Sequence, residues 1–308
     1  MDSDDAYQQL RPLLFSIAYR MVGSVSEAED IVQEAFLRFH DAVRKGVEVE
    51  APKAYLSTVT TRLAVNHLRS ARVRRERYVG TWLPEPLLTD AADDAAQHAE
   101  TADSVSMAFL VLLESLSPVE RAVFLLREVF GYGYDEIARV VGKTEDNCRQ
   151  LAARARRHVE ARKPRFEASR KQRDELARRF LAAVEEGDTE GLVGVLAADV
   201  VVYGDGGGKA PAVPQPIHGR QRVVRLLLGL GRQVRRMEMH VRPASINGQP
   251  GALAFDRDGR LLAALSLDIA DGQVQTVRSV ANPDKLRHLG PVADLGRLLR
   301  ERGAAGGG

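Results

Sequence analysis

"GYGYDEIARVVGKTEDNCRQLAARARR", Gly131 to Arg157, is the stretch on which the rest of the sequence turns. Gly131 and Gly133 interrupt the preceding apolar pattern, and "YDEIARVV" then has the apolar spacing of a short helix ending at Gly142. Thr144 is placed to cap a longer basic helix. A short helix, a glycine-containing turn and a longer basic helix predict a helix-turn-helix. Ile137, Ala138, Val141 and Leu151 are its expected small core. Arg149, Gln150, Ala153, Arg154 and Arg157 fall on the outer face of the second helix. Cys148 lies in that helix and has two readings, a thiol activated by the helix N-terminus and Arg149, or a small buried hydrophobe. Free cysteine is so often buried that the second reading is the expectation.

Upstream, "SPVERAVF" begins with a capping box of Ser117 and Glu120, with Pro118 at the first helical position. Farther upstream, "SVSEAEDIVQEAFLRFHDAV" offers Ser26 and Glu29 as another capping box. Ile31, Val32, Ala35, Phe36, Phe39 and Val43 recur at helical spacing as its core face. Its second face carries Glu27, Asp30, Glu34 and Asp41, with Leu37 as an apolar residue on an acidic stripe. Pro52 opens the next helix, whose Leu56, Val59 and Leu63 are expected inward. Arg62, Asn66, Arg69 and Arg72 share a neighbouring side. Between the helical parts, residues 79–104 read as a linker, except that Trp82 in "TWLPEP" is a rigid aromatic that calls for a docking place.

Downstream of the charged stretch "KPRFEASRKQRDE" the texture changes. Helical patterns in "ELARRFLAAVEEGD" and "GRQRVVRLLLGLGRQV" accompany strand-like runs, and "DRDG" and "IADG" are hairpin turn signals. This is an α+β pattern.

The 308 residues suit two or three domains, and 44% hydrophobic with 28% charged residues is ordinary globular composition. A net charge of +2 conceals two arginine-rich patches, 62–77 and 149–165, on either side of an acidic stretch. Two basic patches joined by an acidic tether suggest two contacts with a polyanion. No apolar run has the length of a membrane span. The acidic start "MDSDDAYQQL" lacks the features of a secretory signal, and the single cysteine excludes an internal disulfide framework. The expectation is a cytoplasmic protein with no membrane partner.

"AEDIVQEAFLRF" resembles region 2 of bacterial sigma factors, and the opening stretch resembles their region 4. With both in order over residues about 5–165, the chain resembles the extracytoplasmic-function (group 4) class. "WLPEP", "DGGGK" and "NPDKL" together resemble the subgroup with a fused SnoaL-like domain. The resemblance implies a multidomain fold: two all-α sigma domains, then an α+β NTF2-like, SnoaL-like cone. Region 2 is expected at 1–78, the linker at 79–104, region 4 at 105–165, the SnoaL-like domain at 174–289 and a flexible tail at 290–308.

The same resemblance implies roles. Asp30, Gln33, Glu34 and Leu37 would grip the β′ clamp helices of core RNA polymerase, and region 4 would meet the β flap. Residues 39–55 would hold a flipped base of the −10 element. Arg62, Asn66, Arg69 and Arg72 would follow the opened strand and adjacent duplex. Arg149, Gln150, Arg154 and Arg157 would read the −35 element. The fused domain would take the place of a separate anti-sigma protein. Its intramolecular interface is expected to comprise Trp82, Pro84, Asp205, Gly206, Gly207, Gly208, Lys209, Asn282, Pro283, Asp284 and Lys285. No cofactor, metal or catalytic residue is implied.

The glycine loop has three open readings by itself: a flexible hairpin, part of an active site, or a docking interface. It is not a P-loop, because no GxxxxGK[ST] is present. His218, His240, Asp199, Asp205 and Asp268 are available for acid–base work, but no sequence-close pair of them marks a site. For the whole chain, a helix-turn-helix repressor or activator acting without polymerase, and a SnoaL-like enzyme with a DNA-binding arm, are the alternatives.

Overall fold

The computed structural model describes residues 3–75, 78–89, 104–161 and 169–298, with side chains omitted for 3–6 and 71–75. The acidic linker residues 90–103, the basic residues Arg162, Lys163 and Arg165 and the end of the tail lie outside the described residues. The chain forms two compact units. One comprises residues 1–77 and 109–163, and the other 78–108 and 164–308. The described part of the expected linker thus belongs with the C-terminal unit.

The first unit is helical. It contains α1 (Ser3–Val22), α2 (Val25–Arg44), α3 (Pro52–Arg75), most of α4 (Met107–Leu113), α5 (Pro118–Phe124) with a π turn at Leu125–Val129, α6 (Tyr134–Val141) and α7 (Glu145–Glu160). The cap of α2 is Ser24, not Ser26: Gly23 turns the chain at φ +70°, and extended Ser24 accepts from Glu27 N–H at 3.2 Å. Ile31, Val32, Ala35, Phe36 and Phe39 are buried as the apolar periodicity requires. Val43 is 49% exposed, because it lies in the last turn of α2, beyond the packed stretch.

The inward face of α3 also differs from expectation. Leu56 is buried, but Val59 and Leu63 are only half-buried, and Ser57, Thr60, Thr61, Ala64, Val65 and Leu68 fill the core side. The Thr61 hydroxyl can face inward there because the helix backbone supplies an acceptor, the Ser57 carbonyl at 2.8 Å, whereas Thr60 Oγ1 has no hydrogen-bond partner among the described residues. The Ser117–Glu120 capping box forms as expected.

The second unit has α8 (Arg170–Glu186), α9 (Thr189–Val195), β1 (Leu196–Asp205), β2 (Ile217–His218), α10 (Arg220–Arg236), β3 (His240–Ile246), β4 (Gln249–Phe255), β5 (Leu261–Ala270) and β6 (Gln273–Val280). Two 3₁₀ turns follow, Pro283–Lys285 and Arg287–Leu289. The six strands lie in the order β2-β1-β6-β5-β4-β3, with β1–β6 parallel and the other pairs antiparallel. Asn247–Gly248 and Asp271–Gly272 have successive positive φ angles, the geometry of a type I′ hairpin turn. Phe180, Leu192, Val195, Val202, Val223 and Leu267 are among the residues that build the core between helices and sheet.

Part of the expected flexible tail is fixed. Leu261 N–H donates to the Pro291 carbonyl at 2.8 Å and Ala293 N–H to the Leu261 carbonyl at 2.9 Å, so 291–293 is strapped beside β5. Its backbone pairs where β5 offers free groups, which composition does not reveal. No helix among the described residues is long and apolar enough to cross a membrane.

Candidate functional site

The helix-turn-helix is closed by its caps. Gly142 ends α6 in the left-handed conformation at φ +67°, and Thr144 Oγ1 caps α7 by accepting from Asn147 N–H. Ile137, Val140, Cys148, Leu151 and Ala152 are the buried core, with Ala138 and Val141 packed at its margin. Cys148 is fully buried, and burial pushes its thiol pKa up. An activated thiol is excluded by that environment, since a reactive cysteine needs access and a lowered pKa.

Gln150, Ala153, Arg154 and Arg157 are exposed on α7. Arg149 is exposed too, but it is held by Glu145 and Asp146, both at 2.9 Å, and lies 5.3 Å from the Tyr134 ring centroid. Such exposed pairs are weak and exchangeable.

On α2, Asp30, Gln33 and Leu37 are exposed, and Leu37 reaches 57%. Glu34 is half-buried and pairs with Arg38 at 2.7 Å. Glu27, on the same stripe, instead accepts from His67 of α3 at 2.9 Å. Gln33 and Leu37 line a groove of about 530 Å³ between α1 and α2, together with Tyr7, Phe15 and Phe36.

Within this unit the basic side of α3 faces the helix-turn-helix. Arg62 donates from Nε to the Val140 carbonyl at 2.8 Å and from an Nη to the Arg139 carbonyl at 2.7 Å. These are carbonyls of the last turn of α6, where a cation is favoured. Asn66 and Arg69 are exposed beside a groove shared with Val119, Val141 and Gly142. The Arg72 side chain lies outside the described residues. Buried Arg121 adds a second tie, to the Met21 carbonyl at 2.6 Å and Glu114 at 2.8 Å. Burial pushes its pKa down to about 9. Tyr132 donates to Ser57 Oγ at 2.8 Å as a third.

The second unit brings the three short motifs together around Asp205. This carboxylate is fully buried at the end of β1. It accepts from Tyr78 Oη at 2.5 Å, from Leu83 N–H at 2.8 Å and from Lys285 Nζ at 2.7 Å. Burial and the bond to Asp205 push the Tyr78 phenol pKa well above its ordinary range. The Lys285 ammonium also donates to the Leu83 carbonyl, and it sits 4.4 Å from the Trp82 ring and 4.8 Å from the Tyr78 ring. A desolvated cation between two aromatic faces is a strong form of cation–π contact. Asn282 donates to Tyr78 Oη at 2.8 Å, and its own backbone N–H binds the Asp205 carbonyl. Pro283 starts the 3₁₀ turn that presents Lys285, while Pro84 is buried. Lys209 and Asp284 pair with each other at the exposed edge.

The glycines of the loop are required by geometry. A Cβ on Gly206 would strike the Ala210 carbonyl. Gly207 and Gly208 have φ +58° and +70°, and a Cβ on Gly207 would meet Asn282. In this geometry Asp205 of the loop packs against residues 78–83. Its carboxylate is enclosed with three donors and is not presented as an acid or base. His218, His240 and Asp199 lie on the surface, and Asp268 is buried against Arg278.

A second seam was not expected. Residues 87–89 run antiparallel beside the edge strand β3. Asn247 N–H donates to the Leu87 carbonyl at 2.7 Å, and Asn247 Oδ1 accepts from Leu87 N–H at 2.9 Å. Asn247 Nδ2 donates to the Val105 carbonyl at 2.9 Å, and Thr89 pairs with Ser245. The Asn-Gly dipeptide in "INGQP" was the available signal for this turn.

Family models carry the assignment further. Residues 6–74 match Sigma-70 region 2, residues 106–159 match Sigma-70 region 4, and residues 177–282 match a SnoaL-like domain. The chain is 38% identical over 97% of its length to the ECF RNA polymerase sigma factor SigJ of Mycobacterium tuberculosis, spanning 95% of that protein. The chain belongs to the extracytoplasmic-function RNA polymerase sigma factors. This sigma factor is also 33% identical, over 92% of its length and 94% of the relative's, to a probable ECF sigma factor SigI of the same species. The crystal structure of M. tuberculosis SigJ superposes with a TM-score of 0.73 at 34% identity, covering 93% of this chain and 99% of that one. As a sigma factor it acts in transcription initiation, with core RNA polymerase and promoter DNA as its partners.

Proposed function

We propose that the sigma factor directs polymerase to promoters by reading the −10 element with region 2 and the −35 element with α7, and that its SnoaL-like domain regulates it in cis. Asp30, Gln33, Glu34 and Leu37 of α2 engage the β′ clamp helices, where exposed Leu37 supplies apolar contact area on an acidic surface. Region 4 meets the β flap. The work is done in the cytoplasm, where polymerase and chromosome are, and no separate anti-sigma protein is needed.

The observation that carries the regulatory part is the double fixation of the linker between regions 2 and 4. Tyr78, directly before it, and its residues 79–89 are held at one end by Asp205 and Lys285 and at the other by Asn247. A linker fixed in this way restricts how its two flanking regions spread on promoter and polymerase. Arg62 supports the same reading, because its guanidinium is committed to the α6 carbonyls. The same donors cannot follow DNA until that packing opens. Regulation is then a two-state equilibrium, shifted by any signal that binds the states unequally.

The promoter-reading part is tested with Arg154→Ala in holoenzyme. Loss of a bidentate base contact is expected to cost about 1–3 kcal/mol in binding to a promoter with an intact −35 element. Binding to a promoter scrambled at −35 should be nearly unchanged. Equal loss on both DNAs would reassign Arg154 to the phosphate backbone.

A further inference from the structure

The C-terminal unit carries a cationic surface that none of the roles above uses. Helix α10, "RQRVVRLLLGLGRQVRR", has six arginines and no acidic residue. Its buried side is Val223, Val224, Leu227 and Gly231. Arg222, Arg225, Gly229, Arg232 and Arg236 recur at three- and four-residue steps on the opposite side, with all four arginines exposed.

Several other exposed arginines on helices of this protein meet acids on the same helix. Arg38 pairs with Glu34, Arg44 with Asp41, Arg139 with Asp135, Arg149 with Glu145, and Arg178 with Glu175. Helix α10 offers no such partner. Arg235 turns to the Glu185 carbonyl at the end of α8, and Arg236 is also engaged. Arg222, Arg225 and Arg232 make no ion pair with any described residue.

We infer that the Arg222–Arg225–Arg232 face of α10 binds the phosphate backbone of duplex DNA, giving the SnoaL-like domain a sequence-independent hold on DNA. The ten helical rises from Arg222 to Arg232 span about 15 Å, a length that faces a few phosphates along one strand. The face is uniformly positive, and Gly229 at its centre leaves room for close approach, since a Cβ there would meet only the end of Arg232. A duplex rather than an acidic protein is favoured because the chain already works on promoter DNA, whose charge complements the row. The inference does not depend on which bases α7 reads.

The test is the salt dependence of binding by holoenzyme reconstituted with the full chain. The triple variant Arg222→Gln, Arg225→Gln, Arg232→Gln should lower the slope of log affinity against log salt by about 2 to 3, since each neutralised phosphate contributes about 0.9 to that slope. Affinity should fall by the same factor on the promoter and on DNA scrambled at both elements. The corresponding Arg→Lys triple should keep the slope. Discrimination between the two DNAs, which reports on regions 2 and 4, should be unchanged in both variants. An unchanged slope in the Gln variant overturns the inference. So does loss of binding to anionic phosphatidylserine vesicles with DNA binding intact, which would assign the face to lipid.

Discussion

Asp205→Ala is expected to destabilise the C-terminal unit by about 3–5 kcal/mol, the cost of stranding a buried charge. The substitution leaves the Lys285 ammonium, whose side chain is 9% exposed, without its carboxylate. It also removes the acceptor of Tyr78 Oη and Leu83 N–H. Leu83 belongs to the linker and Tyr78 directly precedes it, so the linker loosens as well as the fold. Asp205→Asn keeps the volume and part of the hydrogen bonding but still leaves Lys285 uncompensated. Combining it with Lys285→Met should recover part of the loss, because breaking one half of a buried pair costs more than replacing both halves. Denaturant unfolding of the wild type, Asp205→Asn, Lys285→Met and the double variant measures this cycle, with Asp205→Ala alongside. A loss below about 1 kcal/mol for Asp205→Ala is the magnitude of an exposed pair and would remove the cluster from the linker's anchorage.

Asn247→Ala is expected to cost about 2–4 kcal/mol. Asn247 is fully buried, and its amide binds Leu87 N–H and the Val105 carbonyl, each of which is left without a partner on truncation. Its φ of +53° adds a penalty, since alanine is strained in the left-handed region while asparagine and glycine suit it. Asn247→Gly separates the two contributions. It loses the amide bonds without the backbone strain, so it should be less harmful than alanine by roughly 1 kcal/mol. Hydrogen exchange gives the local readout: the Leu87 and Thr89 amides should lose protection in both variants while the β5–β6 ladder keeps it. Full protection at Leu87 in the variants would mean that the backbone pairing with β3 holds the seam without Asn247.

The helix-turn-helix was legible because its signals are local. Gly142, Thr144 and the apolar spacing of α6 are each within one turn of what they control. The same logic slipped where two local signals competed. Ser24 and Ser26 both suit an N-cap, and the positive φ of Gly23 selects Ser24. On α3 the apolar pattern pointed to Val59 and Leu63, but Ser57, Thr60 and Thr61 took part of the buried side, with Thr61 bonded to the helix's own backbone. On α7 the exposed face came out as read, with Cys148 buried.

The linker cluster was legible in another way. Nothing in the spacing of Trp82, Asp205 and Lys285, the first two separated by more than a hundred residues, implies that they meet. Only the resemblance of their motifs joined them. Tyr78 and Asn247 carried no motif and were missed, although a type I′ turn at Asn247–Gly248 could have been read from the dipeptide alone. The commitment of Arg62 to the α6 carbonyls has no sequence signal, because it depends on how two separately coded helices pack.

Run-off transcription tests the central claim most directly. Core polymerase would be combined with the full chain and with the doubly substituted chain Tyr78→Phe, Asn247→Ala, on one promoter and on the same promoter with both elements scrambled. Cis regulation through the linker predicts that the double variant changes the transcript yield while initiation stays at the same start site and still requires both elements. Unchanged yield, with hydrogen exchange showing residues 78–89 released, would contradict it. The domain would then remain part of a sigma factor without controlling it through this linker.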